Sequence, residues 1–261
     1  MPLISGHDIV AHTVGNGPPA VMIHCMLARY AALLPLAEAL PYRTTLFDLP
    51  GHGRSADWDG TTEYQSLATD IAASLCDGPT HLIGHSFGAT VALRLAVTRP
   101  DLVSRLTLIE PVYFVAAKGT PAHAAHAHDF RPFIGAMLAG DEPRAARIFN
   151  DLWGDTAWAD LSPRRQAYLT ARIHLVVASA AAIEEDSDGI TSPERLGRLH
   201  IPVTLIRGET SPDVVAAIHT VLRERIPGAV DHVVAGAGHM LSMTQAGQVA
   251  AIIRAADQGI D

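Results

Sequence analysis

Short apolar runs alternate with longer amphipathic stretches along most of the chain. The apolar runs have the length and the Val, Ile and Leu content of buried strands, whereas the amphipathic stretches repeat their apolar positions at helical spacing. Strands that are separated by helices form a parallel sheet with helices on both faces. The pattern therefore predicts an α/β fold with a mostly parallel sheet. Strands are predicted at residues 8–14, 20–24, 44–49, 80–83, 106–109, 203–206 and 231–234, and helices at residues 33–40, 64–75, 89–97, 214–225 and 245–256.

Residues 112–192 interrupt this alternation. The stretch is rich in alanine, follows a helical pattern and lacks a convincing strand, yet it contains eight of the fourteen aromatic residues. We interpret it as an inserted helical lid, because a lid covers a pocket and its aromatic side chains can line that pocket. Alternatively, the aromatic side chains only pack the insertion on the core. The predicted domains are a core of residues 1–111 and 193–261 and a lid of residues 112–192.

A Gly-x-Ser-x-Gly sequence at residues 84–88 stands between a predicted strand and a predicted helix. A turn this sharp lifts the serine hydroxyl clear of the sheet and forces the serine into a strained backbone region. The positions two residues before and two residues after the serine then have no room for a β-carbon, which Gly84 and Gly88 satisfy. The pattern is typical of the nucleophile elbow of serine hydrolases, so Ser86 is the candidate nucleophile.

Composition and charge narrow the range of partners. The net charge of −8 and the pI of about 5.9 argue against nucleic acid or an anionic membrane surface as a partner. The amino-terminal segment has no basic region typical of a signal peptide, and no apolar run is long enough to span a membrane. The two cysteines, Cys25 and Cys76, do not make a disulfide framework. We therefore expect a globular cytoplasmic protein.

Four stretches together resemble the α/β-hydrolase fold superfamily over essentially the whole chain: residues 23–26, 48–55, 84–88 and 235–240. The resemblance implies that His239, in a Gly-rich loop after the last predicted strand, accepts the proton of Ser86. It also implies an oxyanion hole formed by the backbone N–H groups of Met26 and Phe87. Cys25 stands where relatives usually have a glycine, and we interpret it as a small buried residue. The implied enzyme needs no cofactor and works through an acyl-enzyme.

The resemblance leaves the triad acid open. Family members usually place it three residues beyond a glycine in the loop after the strand at 203–206, but Ser211 occupies that position here. Asp213 lies nearby at a plausible helix start, where an acidic residue can simply interact with the helix dipole. Glu110 directly follows the strand at 106–109, at the carboxyl edge where α/β sites lie. Because some relatives take the acid from this strand end, we favour Glu110 and keep Asp213 as the alternative.

These features predict a serine hydrolase that cleaves an ester, lactone or thioester. The aromatic residues of the insertion and the few charges around the motifs favour a small, largely apolar substrate. Two alternatives stay open: a carbon–carbon bond hydrolase of the same fold, and a hydrolase-fold protein that binds a ligand without turnover, which Ser211 favours. His123, His126 and His128 match no standard zinc spacing, so no metal site is expected. The substrate and the oligomeric state are not predicted.

Overall fold

A seven-stranded sheet forms the centre of the structure, a computed structural model that describes residues 3–4 and 6–259. The order across this sheet is β3-β5-β4-β6-β7-β8-β9, and β1 and β2 form a separate small hairpin. Only β3 and β5 pair antiparallel, whereas all other neighbours in the large sheet are parallel. The predicted α/β class and mostly parallel sheet are therefore confirmed. The strands are β1 (Leu3–Ile4), β2 (His7–Asp8), β3 (Ala11–Val14), β4 (Pro19–Ile23), β5 (Arg43–Phe47), β6 (Thr80–His85), β7 (Val103–Ile109), β8 (Val203–Gly208) and β9 (Val230–Val234).

Helices cover both faces of the sheet, as the alternation predicts. Strand side chains alternate between two hydrophobic clusters: Val21 and Ile23 of β4 belong to the first, and Ala20 and Met22 belong to the second. The first cluster contains the buried faces of α2, α3 and α10, and the second contains those of α1, α11 and α12. The helices are α1 (Leu34–Glu38), α2 (Tyr64–Ser74), α3 (Phe87–Thr98), α4 (Pro121–Leu138), α5 (Glu142–Trp153), α6 (Pro163–Arg172), α7 (His174–Ala178), α8 (Ala180–Ile183), α9 (Pro193–Leu196), α10 (Asp213–Arg225), α11 (Leu241–Thr244) and α12 (Ala246–Gln258).

The predicted strand at residues 8–14 is wrong in its middle. Asp8 ends β2, Ala11 begins β3, and the two residues between them belong to neither strand. The N–H of Val10 donates to Oγ of Ser55 instead of to a neighbouring strand, and its carbonyl accepts from Asp48. A hydrogen bond to a distant loop therefore interrupts a run that its local pattern makes continuous. The predicted core domain begins at residue 1 and ends at residue 261, and both of these limits lie outside the described residues. Residues 1, 2 and 5 of the amino-terminal segment lie outside them as well.

Residues 112–192 lie between β7 and β8 and contain helices α4 to α8 and two short 3-10 turns, without a strand. Hydrogen bonds fasten this segment to loops of the sheet domain. The Tyr168 hydroxyl donates to the carbonyl of Ala28 and accepts from the N–H of Gly53, and Nε of Arg172 donates to the carbonyl of Gly51. The segment is therefore held over the carboxyl edge of the sheet. Of the helices in residues 3–4 and 6–259, none is long and apolar enough to cross a membrane.

Candidate active site

Ser86 occupies the turn between β6 and α3 with a backbone φ of 56° and ψ of −118°. A non-glycine residue rarely adopts this conformation, and here the surroundings hold it, because the Ser86 N–H donates to the carbonyl of Ile109 at 2.8 Å. A β-carbon on Gly84 would lie 2.2 Å from the carbonyl oxygen of Gly88, and one on Gly88 would lie 2.2 Å from that of Ile23. Both glycines are therefore required by space, as the elbow pattern predicts.

The structure brings Ser86, His239 and Glu110 into one hydrogen-bonded chain. Nε2 of His239 lies 3.0 Å from Oγ of Ser86, and Nδ1 of His239 lies 2.8 Å from Oε2 of Glu110. A carboxylate can only accept, so the proton of a neutral His239 is on Nδ1 and the lone pair on Nε2 faces the serine hydroxyl. The imidazole is thus in the tautomer that can accept the proton of Ser86.

Glu110 is fully buried at the end of β7, with a positive backbone φ of 53°. Its Oε1 accepts from the N–H of Gly208 at 2.6 Å and from Oγ of Ser211 at 2.7 Å. Burial acts to raise the pKa of Glu110, but the hydrogen bond and charge of His239, together with these two donors, outweigh burial and lower the pKa. The carboxyl group is therefore ionised at neutral pH and faces the imidazole.

The usual position of the acid and the alternative candidate for it, Asp213, have different environments. Ser211, at the position where relatives usually have the acid, donates its hydroxyl proton to Glu110. Asp213 is exposed in the first turn of α10, and within the described residues the acidic hydrogen-bond partner of His239 is Glu110. The structure therefore brings Glu110, and not Asp213, to the histidine. Sequence reasoning missed the supporting role of Ser211, since nothing local links it to a residue 101 positions away.

Two loops that follow β8 and β9 hold His239 in position. The N–H of Thr210 donates to the carbonyl of Ala237 at 2.8 Å. A β-carbon on Gly208 would lie 2.3 Å from that same carbonyl oxygen, so only glycine permits the loops to approach this closely. His85 adds a contact from β6, because its Nε2–H donates to the carbonyl of His239 at 2.8 Å. Burial and the neighbouring His239 lower the pKa of His85 to about 3, so His85 stays neutral.

Two buried histidines support the loop that carries Met26. Nε2 of His52 accepts from the N–H of Leu27, and Nε2 of His24 accepts from the N–H of Leu49. Burial lowers the pKa of both rings, which keeps their Nε2 atoms unprotonated and able to accept. These roles were missed in the sequence, although a histidine directly after an apolar strand, as at position 24, was an available signal.

The backbone N–H groups of Met26 and Phe87 have no intramolecular acceptor among the described residues, and both residues line the same cavity as Ser86. They are therefore available to a ligand. Cys25 in the same loop is buried, and burial raises its pKa to about 12. Its thiol stays protonated at neutral pH and is a poor nucleophile.

A cavity of about 720 Å³ opens above Ser86 and is lined mostly by apolar and aromatic side chains of residues 112–192. Trp153 at the end of α5 connects this wall to the catalytic histidine candidate, because the centroids of the Trp153 and His239 rings are 4.6 Å apart. In the described part of the chain, no group of three or more His, Cys, Asp or Glu side chains is arranged to hold a metal ion. His123, His126 and His128 are distributed along α4.

The site has a strained serine at a strand-to-helix turn, and a histidine connects this serine by hydrogen bonds to a buried carboxylate. This arrangement is the one that defines α/β-hydrolase-type sites. The model of the alpha/beta hydrolase family matches residues 20–252, and the chain belongs to this family.

Relatives with established names agree with this class. The chain is 35% identical over 104 residues to the (E)-2-((N-methylformamido)methylene)succinate hydrolase of Acinetobacter baylyi, a match that covers 38% of the chain and 40% of that protein. It is 27% identical over 253 residues to a pimeloyl-[acyl-carrier protein] methyl ester esterase of Aeromonas salmonicida, covering 92% of the chain and 95% of that protein. The matches at 35–38% identity span only about two fifths of the relatives' lengths. These similarities support hydrolase activity.

Solved structures show the same fold. The epoxide hydrolase CorEH without ligand superposes with a TM-score of 0.77 at 19% identity, covering 100% of this chain and 98% of that chain. At this identity the likeness concerns the fold alone.

Proposed function

We propose that this protein is a serine hydrolase that cleaves an ester-type bond of a small, largely apolar substrate through an acyl-enzyme. Ser86 is the nucleophile, His239 the general base and Glu110 the orienting acid. The observation that carries the proposal is the continuous hydrogen-bonded chain, with 3.0 Å between Ser86 and His239 and 2.8 Å between His239 and Glu110. This arrangement activates a hydroxyl that is a weak nucleophile at its own pKa.

The reaction begins when Oγ of Ser86 attacks the substrate carbonyl and Nε2 of His239 takes the hydroxyl proton. His239 then gives that proton to the leaving alcohol or thiol, and the acyl group remains on Ser86. A water molecule, deprotonated by His239, then attacks the acyl carbonyl; the bond to Oγ of Ser86 breaks, His239 returns the proton to Oγ, and the acid product is released. Glu110 stabilises the imidazolium at each proton transfer.

The N–H groups of Met26 and Phe87 donate to the oxyanion that forms in both steps. Among the described residues these amides have no intramolecular acceptor, which supports this role, because no hydrogen bond within the protein has to break when they donate to the substrate. We also propose that residues 112–192 act as a lid, since they supply most of the cavity wall.

The choice of an ester-type bond rests on the relatives and on the cavity. One relative that aligns over nearly its whole length is named as a methyl ester esterase. A cavity of about 720 Å³ with few polar groups fits a small apolar acyl or alcohol moiety. Turnover is favoured over binding alone, because Ser211, which had favoured a non-catalytic protein, donates a hydrogen bond to Glu110.

A fluorophosphonate probe and a panel of short p-nitrophenyl esters, lactones and thioesters test this function. We expect the wild type to be labelled at Ser86 and to hydrolyse at least one class of the panel. Ser86→Ala should lose labelling and at least about 10³-fold in rate while keeping its melting temperature, since loss of a triad member removes several orders of magnitude. A variant that retains more than about a tenth of the wild-type rate would exclude Ser86 as nucleophile.

A further inference from the structure

His126 and Glu184 form a polar pair in the wall of the cavity that the proposed chemistry does not use. His126 belongs to α4, and Glu184 directly follows α8. The His126 ring stacks on Phe114 with 4.1 Å between centroids and lies 5.5 Å from Phe130. Aromatic packing therefore fixes the orientation of this imidazole.

One buried nitrogen of the His126 imidazole, Nε2, has no hydrogen-bond partner among the described residues. The His126 side chain as a whole is 8% exposed. Oε1 of Glu184 lies 3.9 Å from Nε2, which is too far for a hydrogen bond. Buried polar atoms are nearly always satisfied by protein, water or ligand. Because both residues line the cavity, a bound molecule can supply the missing partner.

The separation of the pair restricts the chemistry of that partner. A single ligand atom can lie at a normal hydrogen-bond distance, about 2.8 Å, from both Nε2 of His126 and Oε1 of Glu184 when these are 3.9 Å apart. An ionised Glu184 only accepts hydrogen bonds, so the ligand atom must carry a proton. A hydroxyl fits, because it can donate to Glu184 and accept from an N–H at Nε2, and an NH₂ group fits, because it can donate to both; a carboxylate is repelled by the charge of Glu184.

The pair lies close enough to the reacting atoms to contact the same substrate. Trp153 is in ring contact with both His126 and His239, at 5.7 and 4.6 Å between centroids. These two distances limit the separation of the two histidine rings to about 10 Å. An extended chain advances about 1.2 Å per bond, so a chain of about eight bonds between the scissile carbonyl and the polar group is long enough to span this distance.

We propose that His126 and Glu184 form a specificity site that binds a hydroxyl or NH₂ group of the substrate at a distance from the scissile ester. The proposal rests on the function proposed above and adds one requirement to the substrate class. The mostly apolar remainder of the cavity wall favours an apolar connecting chain, and the His126–Glu184 pair binds the polar group at the far end of that chain.

Matched p-nitrophenyl esters test the proposal. One series carries a terminal hydroxyl on acyl chains of four to eight carbons, the second replaces the hydroxyl by methyl, and the third replaces it by carboxylate. We expect the wild type to prefer the hydroxyl ester over its methyl partner at least tenfold in kcat/KM at one chain length. His126→Phe keeps the aromatic packing and should reduce this ratio below two. Glu184→Gln, at a partly exposed position, should reduce it at least threefold.

His128→Phe is the matched control, because His128 is exposed on the same helix and does not line the cavity. Its hydroxyl-to-methyl ratio should equal that of the wild type. A wild-type ratio below two at every chain length, or an unchanged ratio in His126→Phe, would overturn the proposal. So would a preference for the carboxylate series, which would assign recognition to Arg165 in the same cavity.

Binding to the Ser86→Ala variant separates this proposal from the proposed function. Calorimetry with the hydroxyl and methyl esters measures recognition without turnover, and tighter binding of the hydroxyl ester is expected. Absence of fluorophosphonate labelling in the wild type, with this preference intact, would reject the hydrolase and keep the binding site. Labelling and turnover without the preference would reject the binding site alone.

Discussion

Replacing Glu110 by glutamine changes one oxygen for an NH₂ group, and the structure determines where that group must point. The N–H of Gly208 and the hydroxyl of Ser211 both donate to Oε1 of Glu110. The introduced amide therefore turns its oxygen toward these two donors and its NH₂ group toward Nδ1 of His239. Two donors cannot face each other, so Nδ1 must become the acceptor and the imidazole proton must move to Nε2.

This tautomer places an N–H, and not a lone pair, against Oγ of Ser86. The histidine can no longer accept the serine proton, and the imidazolium loses its neighbouring negative charge. In a comparable triad, the equivalent change lowers kcat by about 10⁴-fold, which corresponds to about 5 kcal/mol of transition-state stabilisation. For Glu110→Gln we expect a loss of at least about a hundredfold, with little change in KM.

The assay is kcat on the best ester of the panel, measured for Glu110→Gln and for Asp213→Asn at the pH optimum. Asp213 is exposed at the start of α10, so its variant should lose less than about fivefold. Melting temperatures control for misfolding. A loss below about tenfold in folded Glu110→Gln would refute the tautomer argument, and a reversed ranking would assign the acid to Asp213.

The remaining predictions concern support of the acid and pH. Ser211→Ala removes one of the two donors to Oε1 of Glu110, and we expect kcat to fall about tenfold, since a hydrogen bond to a charged group contributes roughly 1.5–3 kcal/mol; an unchanged kcat would mean that the N–H of Gly208 suffices. Burial lowers the pKa of His81 from 6.5 to about 3, so below about pH 6.5 the unfolded chain binds more protons than the folded chain. Stability therefore decreases as the pH is lowered, and the contribution of this residue approaches about 1.4 kcal/mol per pH unit. Urea unfolding of His81→Gln between pH 6.5 and 5 should show a slope shallower by about 1 kcal/mol per pH unit, because the unfolded histidine is only half protonated at the upper end of this range; parallel slopes would contradict the prediction.

Short-range patterns in the sequence determined the main elements and the elbow. Alternating apolar runs predict the parallel sheet because each buried strand and each covering helix has its own period, which is readable within about ten residues. Gly84 identifies the turn at Ser86 because the β-carbon clash that it avoids is with the carbonyl of Gly88, four residues further along the same turn. Such features depend on near neighbours, and a sequence displays them directly.

Only the tertiary structure decided which carboxylate meets the histidine. Glu110 and His239 are separated by 129 positions, and their contact depends on β7, β8 and β9 lying side by side with their carboxyl ends at one edge. Sequence reasoning could place both Glu110 and Asp213 near that edge but could not measure a distance. For the same reason, sequence reasoning did not identify Ser211 as a hydrogen-bond donor to Glu110. It also did not detect the interruption of the strand predicted at residues 8–14.

The His126–Glu184 pair in the cavity shows most clearly the difference between what the sequence displays and what only the folded chain displays. In the sequence, His126 is one of three histidines on a helix and has no distinguishing feature. In the structure, Phe130 of the same helix and two rings from other segments, Phe114 and Trp153, surround it, and Nε2 faces Glu184 without a hydrogen bond. The sequence determined that a serine and a histidine are available for catalysis, because motifs encode local geometry. The folded chain decided what surrounds them, because burial and hydrogen-bond satisfaction exist only when distant segments pack together.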